Sequence, residues 1–108
     1  MRTLIGLFAL LAAIFMAADA QANELAVTIK DHKFSPAEIH VPANQAVTLK
    51  VTNEDPTPEE FESHDLDVEK IIAGGQSAII RLRPLDAGRY KFFGEFHEDT
   101  AQGVLIAE

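Results

Sequence analysis

Residues 88–97 read GRYKFFGEFH, and this stretch decides the fold of the 108-residue chain. Its first half is rich in aromatic residues, which are typical of a β-strand that buries one face. Its second half places Glu95 and His97 directly after that strand. The stretch therefore predicts a strand that leads into a loop with carboxylate and imidazole side chains.

Short segments of the same kind fill the chain on both sides of this stretch. Apolar and polar residues alternate with a period of two, and Pro, Gly, Asn and Asp residues mark turns between the segments. The predicted strands include residues 25–29, 39–41, 47–51, 78–82, 88–93 and 103–107. No helical stripe of useful length, internal repeat or low-complexity segment interrupts them. The pattern predicts an all-β fold, a Greek-key β-sandwich.

The aromatic side chains are predicted to form the core of this sandwich, because each of them buries a large apolar area when it is enclosed. Phe92 and Phe93 are adjacent in one strand, so they must face opposite sides of the sheet. The residues assigned to the core are Phe34, Phe61, Tyr90, Phe92, Phe93 and Phe96.

Residues 1–22 predict a signal peptide rather than a part of the fold. Arg2 precedes an apolar run over residues 4–18, and small residues at positions 18–22 offer cleavage sites. The run is shorter than the roughly 20 apolar residues of a membrane span. We expect a cleaved signal peptide, export to the periplasm, a domain over residues 23–108 and no membrane insertion after cleavage. An uncleaved N-terminal anchor is the alternative.

The charge and the cysteine content exclude several classes of function. The net charge of −8 opposes binding to nucleic acid or to anionic membrane surfaces. The chain has no cysteine, so disulfides and thiol chemistry are excluded, and a well-packed core or a bound metal must supply stability. A type 1 blue-copper centre is excluded as well, because it requires a cysteine sulfur.

The segment of residues 54–69 interrupts the strand pattern, and we interpret it as a functional insertion. It contains no Lys or Arg and a single histidine, His64, and mutual repulsion of its carboxylates opposes a compact state unless a cation compensates it. The alternative is a solvated loop without a ligand. Its acids are Glu54, Asp55, Glu59, Glu60, Glu62, Asp65, Asp67 and Glu69.

Two parts of the chain resemble a bacterial cupredoxin. Residues 31–53 are similar to its first half, and residues 88–106 are similar to its closing hairpin. Gly94 stands where the family has its copper-binding cysteine, and no methionine follows His97 at the position of the axial ligand. The upstream histidine is replaced within residues 58–63, which read PEEFES.

The PEEFES and GEFH strings resemble a cysteine-free branch of the cupredoxins, found as periplasmic components of bacterial ferrous-iron uptake systems. That resemblance implies binding of iron or copper and delivery to an inner-membrane iron permease, with or without oxidation of Fe(II). Whether the protein is an enzyme therefore stays open. The implied partners are the permease and other periplasmic iron-uptake components, and a homodimer is also open.

In a cupredoxin, the loops that follow residues 53 and 93 lie side by side at one pole of the sandwich, and this suggests a set of metal ligands. Alternation places the acids of residues 60–62 on one face and Phe61 on the other, and the same is expected around Phe96. Carboxylates and imidazole suit Fe(II), Mn(II), Zn(II) and Cu(II). The hypothesis assigns Glu60, Glu62, Glu95 and His97 as ligands, with His64 and Asp99 as secondary candidates.

Other interpretations of these residues remain. The acids of residues 60–62 can simply face water, and Glu98 and Asp99 can serve a turn. His32 and His40 lie away from the expected pole, so we expect His32 to be structural or exposed and His40 to face solvent.

Two further functions compete with iron handling. The first is a periplasmic copper(II) carrier or buffer without redox turnover, and the second is a metal-free domain whose acidic segment docks a basic partner.

Overall fold

The structure is a computed structural model that describes residues 24–108, so the predicted signal peptide lies outside the described residues. In that range the chain forms nine strands and one short 3-10 turn, Glu95–His97. No helix among these residues is long and apolar enough to cross a membrane. The strands are β1 (Glu24–Lys30), β2 (Lys33–Ser35), β3 (Glu38–Val41), β4 (Val47–Asn53), β5 (Glu59–Ser63), β6 (Val68–Ile72), β7 (Ser77–Leu82), β8 (Gly88–Gly94) and β9 (Gln102–Ala107).

The strands form two sheets, and the predicted all-β sandwich is confirmed. One sheet has four strands in the order β2-β1-β4-β7, and the other has five in the order β3-β9-β8-β5-β6. The pairs β1–β4 and β3–β9 are parallel. Several connections between consecutive strands, among them β2 to β3, β3 to β4 and β4 to β5, cross from one sheet to the other, as they do in a Greek-key sandwich.

The core lies between the two sheets and is built from the alternate residues of each strand. β4 shows the pattern clearly, because Val47, Leu49 and Val51 are buried while the residues between them are not. The rings of Phe34, Phe61 and Phe92 meet at centroid distances of 4.9 to 5.7 Å. Such contacts add to the stabilisation that comes from the buried area.

Two predictions about the aromatic residues have different outcomes. Phe92 is buried and Phe93 is only partly so, which confirms that the two rings face opposite sides of β8. Phe96 was assigned to the core, and that prediction is wrong, since 46% of this residue is exposed. The reason is local, because the chain leaves β8 at Gly94 and turns before Phe96 can follow the strand inward.

The interpretation of residues 54–69 as an insertion is also wrong. Residues 59–63 form β5, which lies between β8 and β6 inside the five-stranded sheet. The burial of Phe61 outweighs the charge around it, since alternation lets the neighbouring acids occupy the other face. The acidic composition concealed an internal strand of the sheet.

Candidate metal centres

The start of β5 and the 3-10 turn after β8 are joined by the side chain of Glu59. This residue is only 1% exposed. Its Oε2 atom lies 2.6 Å from Nδ1 of His97, and its Oε1 atom accepts hydrogen bonds from the backbone N–H groups of Phe96 and Glu60, each at 2.9 Å. A carboxylate oxygen accepts hydrogen bonds, so Nδ1 of His97 is assigned as the donor. The nitrogen left for a ligand is therefore Nε2 of His97.

Glu59 also fills the space beside Gly94. A Cβ atom built on Gly94 would lie 2.7 Å from Cδ of Glu59 and 2.7 Å from Cβ of Ala101. A cysteine at this position would collide with both side chains. The residues present therefore do not fit a type 1 copper centre, for want of a thiolate and for want of space.

His32 lies against His97, which corrects the expectation that it lies away from the site. The two imidazole rings stack with their centroids 3.5 Å apart and their planes 9° from parallel. The position of the His32 ring follows from the turn between β1 and β2, where Asp31 and His32 both have a positive φ, of 53° and 59°. This turn carries the His32 ring back over the end of the sandwich.

Asp55 holds that turn in place. Its carboxylate accepts hydrogen bonds from the backbone N–H groups of Asp31 and His32, at 2.8 and 2.9 Å. The bond from the His32 amide is the main cause that lowers the pKa of the Asp55 carboxyl. Buried Asn53 accepts a hydrogen bond from the Asp55 amide at 3.0 Å, so the support continues into β4.

The stacked histidines border a cavity at the pole of the sandwich. Its volume is about 650 Å³, and its walls come from the β1–β2 turn and from residues 95–100. Of the side chain of His97, 28% is exposed. The cavity therefore offers access to one imidazole whose other nitrogen is fixed by a buried carboxylate, an arrangement common among metal-binding histidines.

A second group of possible ligands lies on the outer face of β5. Carboxylate oxygens of Glu60, Glu62 and Glu69 lie within 4.8 Å of one another. Glu69 belongs to β6, where it is the partner of Glu62 in the antiparallel register. We call these residues the carboxylate cluster.

The cluster is electrostatically unfavourable without a cation. Glu60 is 8% exposed, and burial, followed by the charge of Glu69, raises the pKa of its carboxyl. In the described part of the chain, no Lys or Arg side chain forms an ion pair with any of the cluster carboxylates. The nearest histidine is His64, whose Nε2 lies 3.8 Å from Oε2 of Glu62.

The structure divides the predicted ligand set between these two places. Glu60 and Glu62 lie together as the alternation of β5 predicts, and His97 lies on the other side of β5 with Glu59. Glu95 and His97 were expected to alternate around Phe96, and this is wrong because residues 95–97 form a 3-10 turn with about three residues per turn. Metal binding by any of these residues stays a prediction.

The remaining predicted positions lie at the surface. Glu95 is near enough to Glu60 for its charge to raise the pKa of that carboxyl. Asp99 is exposed at the wall of the cavity beside His97. His40 faces solvent as predicted and contacts Glu38 and Glu108 at 2.7 and 2.8 Å.

Sequence reasoning missed Glu59, Glu69 and His32 as parts of these sites. The sequence did indicate the position of Glu59. It lies two residues before Phe61 in an alternating strand, so both side chains are expected on the same face. Placing Glu69 in the cluster requires the register of β5 with β6, and placing His32 beside His97 requires the positive φ values of its turn. Neither of these can be obtained from one sequence.

Comparison with known proteins gives related sequences and folds. The model of the "Cupredoxin-like domain" family matches residues 3–107. The uncharacterized protein RP394 of Rickettsia prowazekii (strain Madrid E) is 52% identical over 83 residues, which are 77% of this chain and 66% of that protein.

Two solved structures show the same fold at low sequence identity. The metal-binding domain, with Cu(I), of the Cu(I)-exporting P-type ATPase CopA of Streptococcus pneumoniae has a TM-score of 0.71 and 15% identity, over 79% of this chain and 84% of that one. Auracyanin A, a "blue" copper protein of Chloroflexus aurantiacus, has a TM-score of 0.68 and 14% identity, over 79% and 98% of the two chains.

Proposed function

The chain belongs to the cupredoxin-like domain family, and from that premise we propose that it binds a metal ion, iron or copper, as cargo at the carboxylate cluster of Glu60, Glu62 and Glu69. The observation that carries the proposal is the convergence of these carboxylates across the paired strands β5 and β6, where burial of Glu60 raises the pKa of its carboxyl. Carboxylates are acceptor groups that bind hard cations, and a cation would remove the repulsion between them.

The surroundings of the cluster suit an ion that must be taken up and released. A cavity of about 210 Å³ adjoins Glu62 and Glu69 and is also lined by His64 and Asp67. Glu69 is exposed and Glu62 is partly buried, so the ion would keep a route to solvent. Three carboxylates leave coordination positions for water or for a ligand from a partner.

The proposed setting follows the predicted signal peptide and the resemblance of the GEFH and PEEFES strings. The mature protein would reside in the periplasm and pass iron to an inner-membrane iron permease, with other periplasmic uptake components. Oxidation of bound Fe(II) by dioxygen, which would accept the electron, would be favoured at such a site, because negatively charged oxygen ligands stabilise Fe(III) over Fe(II).

The test is calorimetric titration of the metal-free mature protein with Fe(II) under anaerobic conditions. We expect saturable binding that Glu60→Gln with Glu62→Gln weakens at least tenfold. The control is Glu24→Gln with Glu54→Gln, which removes the same charge from exposed positions outside the cluster. Equal affinity in all three proteins would overturn the proposal, and optical spectra after air is admitted would show whether Fe(III) forms faster than in buffer.

A copper(II) carrier is the second candidate, and the hydrogen bond between Glu59 and His97 favours it. That bond fixes the ring and leaves one nitrogen for a metal, and copper(II) is bound more tightly than the other divalent ions of its series. The solved structures of similar fold are described as holding Cu(I) or as a "blue" copper protein. Electron paramagnetic resonance of a Cu(II) sample tests the candidate: nitrogen coupling should be lost in His97→Ala and kept in His40→Ala.

A further inference from the structure

The half-buried ring of His32 lacks a hydrogen-bonding partner, although the turn that carries it is well anchored. Asp55 accepts hydrogen bonds from the backbone N–H groups of Asp31 and His32. Within residues 24–108, neither ring nitrogen of His32 forms a hydrogen bond or an ion pair. The backbone of His32 is therefore fixed, while both of its ring nitrogens are open to a ligand.

The distance between the stacked rings of His32 and His97 suits one shared metal ion. The ring centroids are 3.5 Å apart, and the planes are 9° from parallel. Metal–nitrogen bonds of about 2.0–2.1 Å let one ion join two nitrogens that lie up to about 4 Å apart. Glu59 holds the His97 ring through Nδ1, so a tilt of the unpaired His32 ring would bring the second nitrogen to the ion.

The cavity beside the two rings has the charge that a cation requires. Its lining includes the acids Glu95, Glu98 and Asp99, and no Lys or Arg of the described residues takes part in it. Carboxylates that line a cleft together produce a negative potential, which raises the local concentration of cations. The cavity would therefore guide a metal ion to the histidines.

The two imidazoles form an open ligand set. Among residues 24–108, three or more His, Asp or Glu side chains have their ligand atoms within 4.8 Å of one another only in the carboxylate cluster. An ion on His32 and His97 would therefore keep coordination positions for water. Imidazole with water suits copper(II), which prefers square-planar or tetragonal sites of nitrogen and oxygen.

We propose that His32 and His97 together form a copper(II) site with two imidazole ligands, separate from the carboxylate cluster. The inference rests on the copper candidate above and supplies its second ligand. The cluster offers oxygen ligands, whereas the histidine pair offers nitrogen ligands, so the two sites prefer different ions. One molecule would then hold a hard cation at the cluster and copper(II) at the pole.

The experiment is pulsed electron paramagnetic resonance of the mature protein with one equivalent of Cu(II). The method counts coordinated imidazoles through the nitrogen of each ring that does not bind the metal. We expect two imidazoles in the unaltered protein and fewer in His32→Asn, with Cu(II) affinity about tenfold weaker in a chelator competition. Asparagine is chosen because it tolerates the positive φ of 59° at this position.

The control is His64→Ala, which removes an exposed histidine beside the carboxylate cluster and should leave both the count and the affinity unchanged. A single imidazole in the unaltered protein, or a count that does not fall in His32→Asn, would overturn the inference and leave the copper candidate at His97 standing. Loss of an imidazole in His64→Ala would place copper at the cluster and overturn the inference as well. The absence of any coordinated imidazole in the unaltered protein would overturn both the inference and the copper candidate.

Discussion

The carboxylate of Glu59 occupies the space into which a side chain at Gly94 would extend. The two positions come from neighbouring strands, and the Cδ atom of Glu59 lies 2.7 Å from an ideal Cβ on Gly94. Real Cβ atoms do not approach other heavy atoms so closely, so the glycine and the glutamate depend on each other. Gly94 is thereby coupled to the hydrogen bond between Glu59 and His97.

This coupling predicts the behaviour of Gly94→Ala. The added methyl group must displace Glu59 or Ala101, and overpacking of this kind costs about 1–3 kcal/mol. Chemical denaturation of Gly94→Ala, of Glu59→Ala and of the double variant measures the free energy of unfolding that each change removes. We expect the double variant to lose less stability than the sum of the single losses, whereas strict additivity would show that the two residues do not compete for space.

The hydrogen bond between Glu59 and His97 should fix the tautomer of the imidazole. In the metal-free protein, we expect the neutral imidazole to carry its proton on Nδ1, because the Glu59 carboxylate accepts a hydrogen bond from that atom. Nitrogen chemical shifts of the His97 ring report this directly. Glu59→Ala should return the ring to a mixture of tautomers, and a ring already mixed in the unaltered protein would contradict the assignment.

Asp55→Asn should loosen the β1–β2 turn. An asparagine has one carbonyl oxygen for two backbone N–H donors, so one of them loses its partner at a cost of about 1–3 kcal/mol. His32 should then move from His97, and the loss of mutual ring-current shifts in the NMR spectrum would show it. Glu54→Gln, at the exposed neighbouring position, is the control.

The same substitution has a pH signature. The pKa of Asp55 is lowered from its ordinary value of 3.8, so its ionised form stabilises the fold above that pH. That contribution is lost as the pH falls through the lowered pKa. The Asp55→Asn protein should therefore lose less stability on acidification than the unaltered protein, as measured by urea denaturation at several pH values.

Glu60→Gln should raise the stability of the metal-free protein at neutral pH, whereas Asp55→Asn lowers it. The pKa of Glu60 is raised above its ordinary value of 4.5 by burial and by Glu69, so the folded protein holds this proton more firmly than the unfolded chain does. Stability of the metal-free protein then falls as the pH rises from 4.5 through the raised pKa.

The Glu60→Gln variant tests whether stability falls with rising pH because of this carboxyl. Glu60→Gln removes the ionisation, so it should be more stable than the unaltered protein at neutral pH and similar to it below pH 4.5. Thermal unfolding in EDTA across this range measures the difference, with the exposed Glu24→Gln as control. A variant that is less stable at neutral pH would show that the Glu60 carboxylate has a compensating partner.

The strands were predictable where apolar residues alternate, as in β4, because burial on one side leaves a period of two in the sequence. The same rule predicted that Glu60 and Glu62 share a face. The rule failed for the 3-10 turn, since a three-residue helix leaves no periodic pattern. It also missed β5 as a strand, because the residues on the outer face of β5 are charged. Contacts between distant turns, such as His32 with His97, depend on backbone geometry that one sequence does not reveal.

β5 acts as a partition between two chemically different compartments. Glu59 faces the histidine side, while Glu60 and Glu62 face the carboxylate cluster on the other. Insertion or deletion of a single residue in β5 before Phe61 would shift the alternation by one position. The acid that now faces the histidines would then face the carboxylate cluster. Adjacent residues of β5 thus belong to different surroundings, and substitution of one of them alters one side of the strand while the other side keeps its residues.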